Sequence, residues 1–244
     1  MERDEYRRLY ELEDTLWWFR GMERISRALL ERCVEKPDRF QILDAGCGTG
    51  GMLRSLDDLG MVTGLDRSPE ALGFARRRHE ARLVRGSVEH LPFADESFDL
   101  VTSFDVLYHL AVRDDVAALR EVKRVLRPGG TILLRVPAGE ALRSRHDEAV
   151  HTRERYGRAE LEGKLRRAGL EPEFVSYANC LLFPIALVRR LAERALGSKR
   201  EGSEVEPVGS FLNEALQFPL RLEARFLRFT SLPFGLSLVA VAKR

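Results

Sequence analysis

The sequence predicts an α/β domain built around a doubly wound, mostly parallel sheet of seven strands. Three observations predict it. Short apolar runs of β type alternate with amphipathic helical stretches from Phe40 to Pro137. A glycine-rich turn follows the first of these runs, and an acidic residue closes the second. Strand–helix–strand units of this kind connect by right-handed crossovers, which put helices on both faces of one twisted sheet.

Residues 1–36 read as one or two helices carrying the aromatic cluster Trp17-Trp18-Phe19, with Arg20 next. The strand runs that follow are Gln41–Ala45, Val62–Leu65, Arg82–Arg85, Phe98–Ser103 and Thr131–Val136. Helices are expected between them over Gly50–Leu59, Pro69–His79 and Asp114–Leu126. Ser68-Pro69-Glu70 supplies an N-cap followed by proline at the first helical position. Arg127-Pro128-Gly129-Gly130 stops the preceding helix and turns the chain into the next strand. After Pro137 a polar loop leads to a helix over Ala159–Ala168, ended by Gly169, and Glu173–Tyr177 reads as a sixth strand. A largely helical insertion with a polar hinge over Gly197–Gly209 runs to about Thr230. Leu236–Ala242 is the last strand. The expected organisation is a helical lid over residues 1–39, a ligand-binding domain over 40–178 and 231–244, and a helical cap over 179–230.

The 244 residues are 44% hydrophobic and 32% charged, which supplies a real core and argues against wholesale disorder. A net charge of +2 gives nucleic acid no electrostatic footprint. Three cysteines, Cys33, Cys47 and Cys180, are too few and scattered for a disulfide framework or a zinc site, so a reducing compartment is expected. The charged start Met1-Glu2-Arg3-Asp4-Glu5 lacks the apolar core of a secretory signal. The longest apolar run, Cys180 to Val188, is about half the roughly 20 residues a spanning helix needs. A cytoplasmic protein without a transmembrane segment is the expectation, as a monomer or homodimer. The apolar-then-basic stretch Cys180–Arg190 reads as a cap helix packed on Phe211–Phe229, or as an acyl pocket or peripheral membrane contact.

The first strand ends in Leu43-Asp44 and breaks into Gly46-Cys47-Gly48-Thr49-Gly50-Gly51. A tight turn at the carboxyl edge of an open α/β sheet is where such folds bind ligands. Glycine permits positive φ and removes the Cβ atoms that would hold a ligand off the backbone. The helix that starts there turns its free N–H groups toward negative charge. Asp66 closes the second strand twenty residues after Gly46, where a carboxylate can accept from both hydroxyls of an adenosine ribose. Glycines 46, 48 and 51 also satisfy the dinucleotide pattern G-x-G-x-x-G, so a nicotinamide dinucleotide is a rival ligand.

Several further segments occur in a telling order. They are Gly86-Ser87-Val88-Glu89-His90-Leu91-Pro92-Phe93, Phe98-Asp99-Leu100-Val101, Asp105-Val106-Leu107-Tyr108-His109 and Val125-Leu126-Arg127-Pro128-Gly129-Gly130. With Leu43–Gly51 this series resembles the class I S-adenosylmethionine-dependent methyltransferases, specifically the type-11 methyltransferase domain family. Leu16–Met22, His146–Tyr156 and Leu232–Ser237 resemble signatures of a bacterial subgroup of that family whose substrates are generally unassigned. The resemblance implies a Rossmann-like sheet whose last strand is antiparallel, and S-adenosyl-L-methionine as cofactor, with S-adenosyl-L-homocysteine as product. It implies that Asp44, Gly46, Cys47, Gly48 and Gly50 surround the methionine end of the cofactor. Asp66, with Arg67 beside it, would bind the ribose, and Val88 would offer its N–H to adenine. Many relatives carry aspartate where Ser87 stands, so the bond to the adenine amino group is weaker here. Phe104 would face the sulfonium.

Arg20 suits the cofactor carboxylate, which a guanidinium can grip bidentately, or else a surface ion pair. His109, just past the fourth strand, suits a general base for an acceptor hydroxyl or amine, and Tyr108 an orienting group. His146, Asp147, His151, Arg153 and Tyr156 form the densest polar cluster. A five-residue spacing does not put His146 and His151 on one helical face, and no fourth ligand is evident, which weighs against a metal. A loop over the active site, with His146 or His151 polarising the acceptor, stands against a hydrogen-bonded structural loop. The function expected is in-line methyl transfer to oxygen or nitrogen of a small, partly apolar metabolite. The alternatives are an NAD-dependent oxidoreductase, an aminopropyl transferase and a non-catalytic cofactor-binding module.

Overall fold

The computed structural model describes residues 3–33, 39–143, 147, 150–188 and 207–244. Seven strands, β1 (Phe40–Ala45), β2 (Gly60–Asp66), β3 (Arg82–Arg85), β4 (Phe98–Phe104), β5 (Leu126–Pro137), β6 (Glu171–Ala178) and β7 (Ser237–Lys243), form one sheet. Their order is β3-β2-β1-β4-β5-β7-β6. The first five run parallel, and β7 is antiparallel to both β5 and β6. Strand order reverses between β1 and β4, which opens a crevice at their carboxyl ends.

Alternation along the strands feeds two cores. Leu43, Val101, Ile132 and Leu134 point to one face, where α5 (Asp115–Val125) and α6 (Arg158–Arg167) cover them. Ile42, Leu100 and Leu133 point to the other. That face is covered by α2 (Trp17–Cys33), α3 (Leu53–Leu56), α4 (Pro69–Arg78) and α7 (Ser210–Leu227), while α1 (Arg3–Leu12) packs on α4. The helix starts follow side-chain caps: Ser68 Oγ accepts from Ala71 N–H at 3.2 Å, and Asp114 Oδ1 from Ala117 N–H at 3.0 Å.

Three expectations change. The helix expected over Gly50–Leu59 shrinks to Leu53–Leu56, because three-residue bonds (Leu53 N–H to Gly50 O, Ser55 N–H to Met52 O, Leu59 N–H to Leu56 O) replace the α-helical ladder. β5 begins at Leu126, not Thr131: Leu126 already pairs with Phe98, and Pro128-Gly129-Gly130 is an irregularity inside the strand, with Gly129 at φ +77°. The helices expected as a separate lid and cap share the core of one sheet face. Trp17 N–H donates to Asn213 Oδ1 at 2.7 Å, Arg32 Nη1 donates to Leu227 O at 2.8 Å, and Leu220 and Leu227 are fully buried with Ile25 and Leu29. The hinge expected over Gly197–Gly209 falls largely outside the described residues. Among the described residues no helix is long and apolar enough to cross a membrane.

Candidate active site

The glycine turn doubles back over β2 because Gly46 and Cys47 both donate their N–H groups to Leu65 O, at 2.7 and 2.9 Å. Gly46, Gly48 and Gly50 take φ values of +93°, +54° and +84°. A Cβ at Gly46 would sit 2.2 Å from Val106, and one at Gly50 would be 3.1 Å from the Ala75 backbone. A Cβ at Gly48 would meet nothing within 4 Å, so this is the glycine whose bare backbone faces open space. Beside it, Asp66 Oδ2 accepts from Gly48 N–H at 2.9 Å and Oδ1 from Ser68 N–H at 2.8 Å. Each oxygen keeps lone-pair capacity for a ligand hydroxyl. Burial raises the Asp66 pKa, against the pull of those backbone donors.

Asp44 lies beneath the turn, 2% exposed, and accepts from Thr102 Oγ1 at 2.8 Å. Burial pushes its pKa up to about 7; Asp66 and Glu13 add to the rise, and Thr102 and Arg135 oppose it. Glu13, just past α1, bonds the Thr49 hydroxyl and pairs with Arg78 Nη1 at 2.9 Å. Tyr6 on α1 reaches Ser68 at the tip of β2. The N-terminal segment thus crosses the ligand edge, touching β2 at Tyr6, the glycine turn at Glu13 and β4–β5 at Trp18.

The other expected cofactor residues divide. Val88 is buried and Phe104 half-buried at the tip of β4. Ser87 Oγ accepts from Glu89 N–H at 3.2 Å, a local turn. Arg67 is exposed. Cys47 commits its N–H to Leu65 and its carbonyl to Gly50, with its side chain in the core, and burial raises its thiol pKa. Arg20 takes the surface-pair geometry, bonding Glu23 one turn along α2 at 2.9 Å with 42% of its side chain exposed. Glu13, Thr102 and Arg135 were missed. The signal for Arg135 was present: it is the one charged residue in Thr131–Val136.

On the acceptor side, Tyr108 is held protonated by burial, which raises its pKa with help from Asp105. His109 is half-buried, and its Nδ1 accepts from Ala111 N–H at 3.0 Å. Burial, then the charges of His151 and Arg67, lower its pKa to about 4. A neutral imidazole with Nδ1 occupied carries its proton on Nε2 and acts there as a donor. His151 is exposed at φ +57°, edge-on to His109 at 5.8 Å between ring centroids. His146 lies outside the described residues.

The rest of the polar cluster is structural. Asp147 pairs with Arg155 at 2.8 Å, and Tyr156 Oη donates to Asp115 at 2.9 Å. Arg153 meets Asp115 and Glu154, and its N–H donates to Tyr108 O at 2.7 Å. Arg153 is therefore committed to ion pairs within the protein. Among the described residues no cluster of His, Cys, Asp and Glu could hold a metal.

The methyltransferase domain family matches residues 43–134. A protein of Mycolicibacterium smegmatis described as a "Probable S-adenosylmethionine-dependent methyltransferase" is 34% identical over 167 residues, 66% of this chain and 62% of that protein. A malonyl-[acyl-carrier protein] O-methyltransferase of Enterobacter lignolyticus is 34% identical over 187 residues, 72% of this chain and 71% of that protein. This chain belongs to the S-adenosylmethionine-dependent methyltransferase family. A solved methyltransferase of Thermotoga maritima shares the fold, with a TM-score of 0.62 at 21% identity over 98% of this chain and 94% of that one. The methyltransferase chain spans 62% of the length of the M. smegmatis relative.

The residues present fit the family's cofactor. The gap at Gly48 admits it against bare backbone, Asp66 can accept from ribose hydroxyls, and buried Asp44, raised to about 7, makes no ion pair among the described residues, which suits an incoming ammonium.

Proposed function

We propose that this methyltransferase acts on an oxygen or nitrogen of a small, partly apolar acceptor by in-line displacement. The observation that carries the reading is the open backbone at Gly48, flanked by the Asp66 and Asp44 carboxylates, with Tyr108 and His109 across the same edge. When bound, S-adenosylmethionine supplies a methyl group already activated by its sulfonium. The protein's task is then alignment, which can contribute about 7–11 kcal/mol toward the barrier.

Asp66 would hold the ribose hydroxyls of the cofactor, the Val88 backbone and Ser87 would hold its adenine, and the Phe104 ring would supply a cation–π contact to a positive sulfur. His109, neutral and donating from Nε2, orients an acceptor oxygen and does not remove its proton; Tyr108 is a second donor beside it. His151 stands at the rim, where it can polarise the acceptor. The apolar side comes from the Phe183–Phe234 pair, with ring centroids 5.3 Å apart, and from exposed Leu181 and Leu110. The O-methyltransferase relative supports oxygen over nitrogen.

Incubating the protein with isotope-labelled cofactor and a cell extract should move label into a small molecule, read by mass spectrometry. Label confined to protein or nucleic acid, or cofactor affinity without any labelled product, would overturn the reading.

A further inference from the structure

Arg135 is 6% exposed, on β5 at the carboxyl edge, paired in register with Phe104. Its guanidinium lies 5.2 Å from the ring centroids of both Trp18 and Phe104. Nε and Nη2 both donate to Asp105 Oδ2, at 2.9 and 2.6 Å. Nη1 is buried and has no partner. A buried donor left unpaired is costly, more so when it carries charge, so a fold that keeps one at a ligand edge has a use for it. Arg78 Nε and Arg153 Nε are also orphaned, but they belong to ion-pair clusters on α4 and in the loop before α6.

Asp44 stands two strands away on the same face, with Thr102 on β4 as its register partner, and feels the charge of Arg135. A buried carboxylate and a buried guanidinium on one face of the sheet, with β4 and Phe104 between their strands, complement the two ends of an α-amino-acid zwitterion. The ammonium would meet Asp44 and the carboxylate Nη1.

We infer that Arg135 is the residue that recognises the α-carboxylate at the amino-acid end of the bound cofactor, with Asp44 taking the ammonium. This rests on the methyl-donor site described above. It replaces Arg20, whose guanidinium is turned outward to Glu23. Trp18, on the first turn of α2, covers Arg135 and keeps the contact dry, where a charge-assisted bond is strongest.

The test is calorimetric and needs no acceptor. S-adenosylhomocysteine and its decarboxylated analogue, which keeps the ammonium, are titrated into the wild type and into Arg135→Lys. The wild type should bind S-adenosylhomocysteine at least tenfold more tightly than the analogue. Arg135→Lys should lose at least tenfold for S-adenosylhomocysteine, hold the analogue within twofold, and so erase the discrimination. Equal weakening of both ligands, or wild-type indifference to the carboxylate, overturns the inference while leaving the cofactor site intact. Failure of S-adenosylhomocysteine to bind the wild type overturns the cofactor site itself, and the inference with it. A variant that does not fold would bind neither ligand, so the wild-type comparison stands as an independent arm.

Discussion

At Asp44 the pKa of about 7 lies above the unfolded carboxylate value, so the sign of its linkage follows directly. Its contribution to folding of the ligand-free protein is fully present near pH 4 and is lost as pH rises through about 7. Cofactor binding runs the other way, because the ammonium pairs with the ionised carboxylate. S-adenosylhomocysteine affinity should therefore rise severalfold between pH 6 and 8, and Asp44→Asn should flatten the profile while lowering affinity; a wild-type profile already flat in calorimetry would refute this. Gly46 makes a separate prediction. An added methyl group would approach Val106 to 2.2 Å, at a φ of +93° that L residues rarely adopt. Gly46→Ala should cost about 1–3 kcal/mol in stability by denaturant unfolding and weaken cofactor binding by more than tenfold.

Elements are held in place by polar groups more than the composition suggests. Asp115, at the start of α5, accepts from Lys164 Nζ at 2.7 Å and from Tyr156 Oη at 2.9 Å, tying α6 and the preceding loop to α5. Burial alone would raise the Asp115 pKa, but these donors hold it below the ordinary carboxylate range. Its stabilisation is present above the unfolded carboxylate pKa and lost as pH falls through the lower folded value. Asp115→Ala should leave the Lys164 ammonium to Glu154 and Glu160 alone and cost about 2–3 kcal/mol in urea unfolding, whereas Tyr156→Phe, which removes the hydroxyl bond to Asp115, should cost about 1 kcal/mol. The same loop carries Arg153 N–H to Tyr108 O, so Asp115→Ala should also raise the acceptor KM. At the other end of the site, α1 is clamped through Glu13 to Thr49 and Arg78. Glu13→Ala should speed amide exchange in α1 with little effect on the α5–α6 face, measured by hydrogen–deuterium exchange.

Across the whole molecule, one sheet joins the two cores, and both converge on the carboxyl edge where β1 and β4 diverge. A ligand seated there binds the folded state alone. S-adenosylhomocysteine at a hundred times its Kd should add about 2.7 kcal/mol, a rise in Tm of roughly 5–10 °C for a chain of this size. A nicotinamide dinucleotide at the same concentration should leave Tm unchanged in a thermal scan.

The residue order by itself determined the seven strands, the glycine turn and the Asp66 partner, because period-two alternation, glycine spacing and helix caps are local properties of the chain. It located the ends of β1, β3 and β4 to within a residue. It could not tell that the segment after Gly50 would close on three-residue bonds, since that depends on Leu53 and Leu56 sinking into the core. Nor did it bring forward Arg135 beside Arg20. Both are single arginines beside apolar neighbours in sequence, and only the sheet brings Arg135 up to Phe104 on the face that carries Asp44, while Arg20 turns outward to Glu23. The proton state of His109 was decided in the same way, by the burial that lowers its pKa. Which groups lose water, and which find a partner, are properties of neighbours distant along the chain, and only the tertiary structure supplies them.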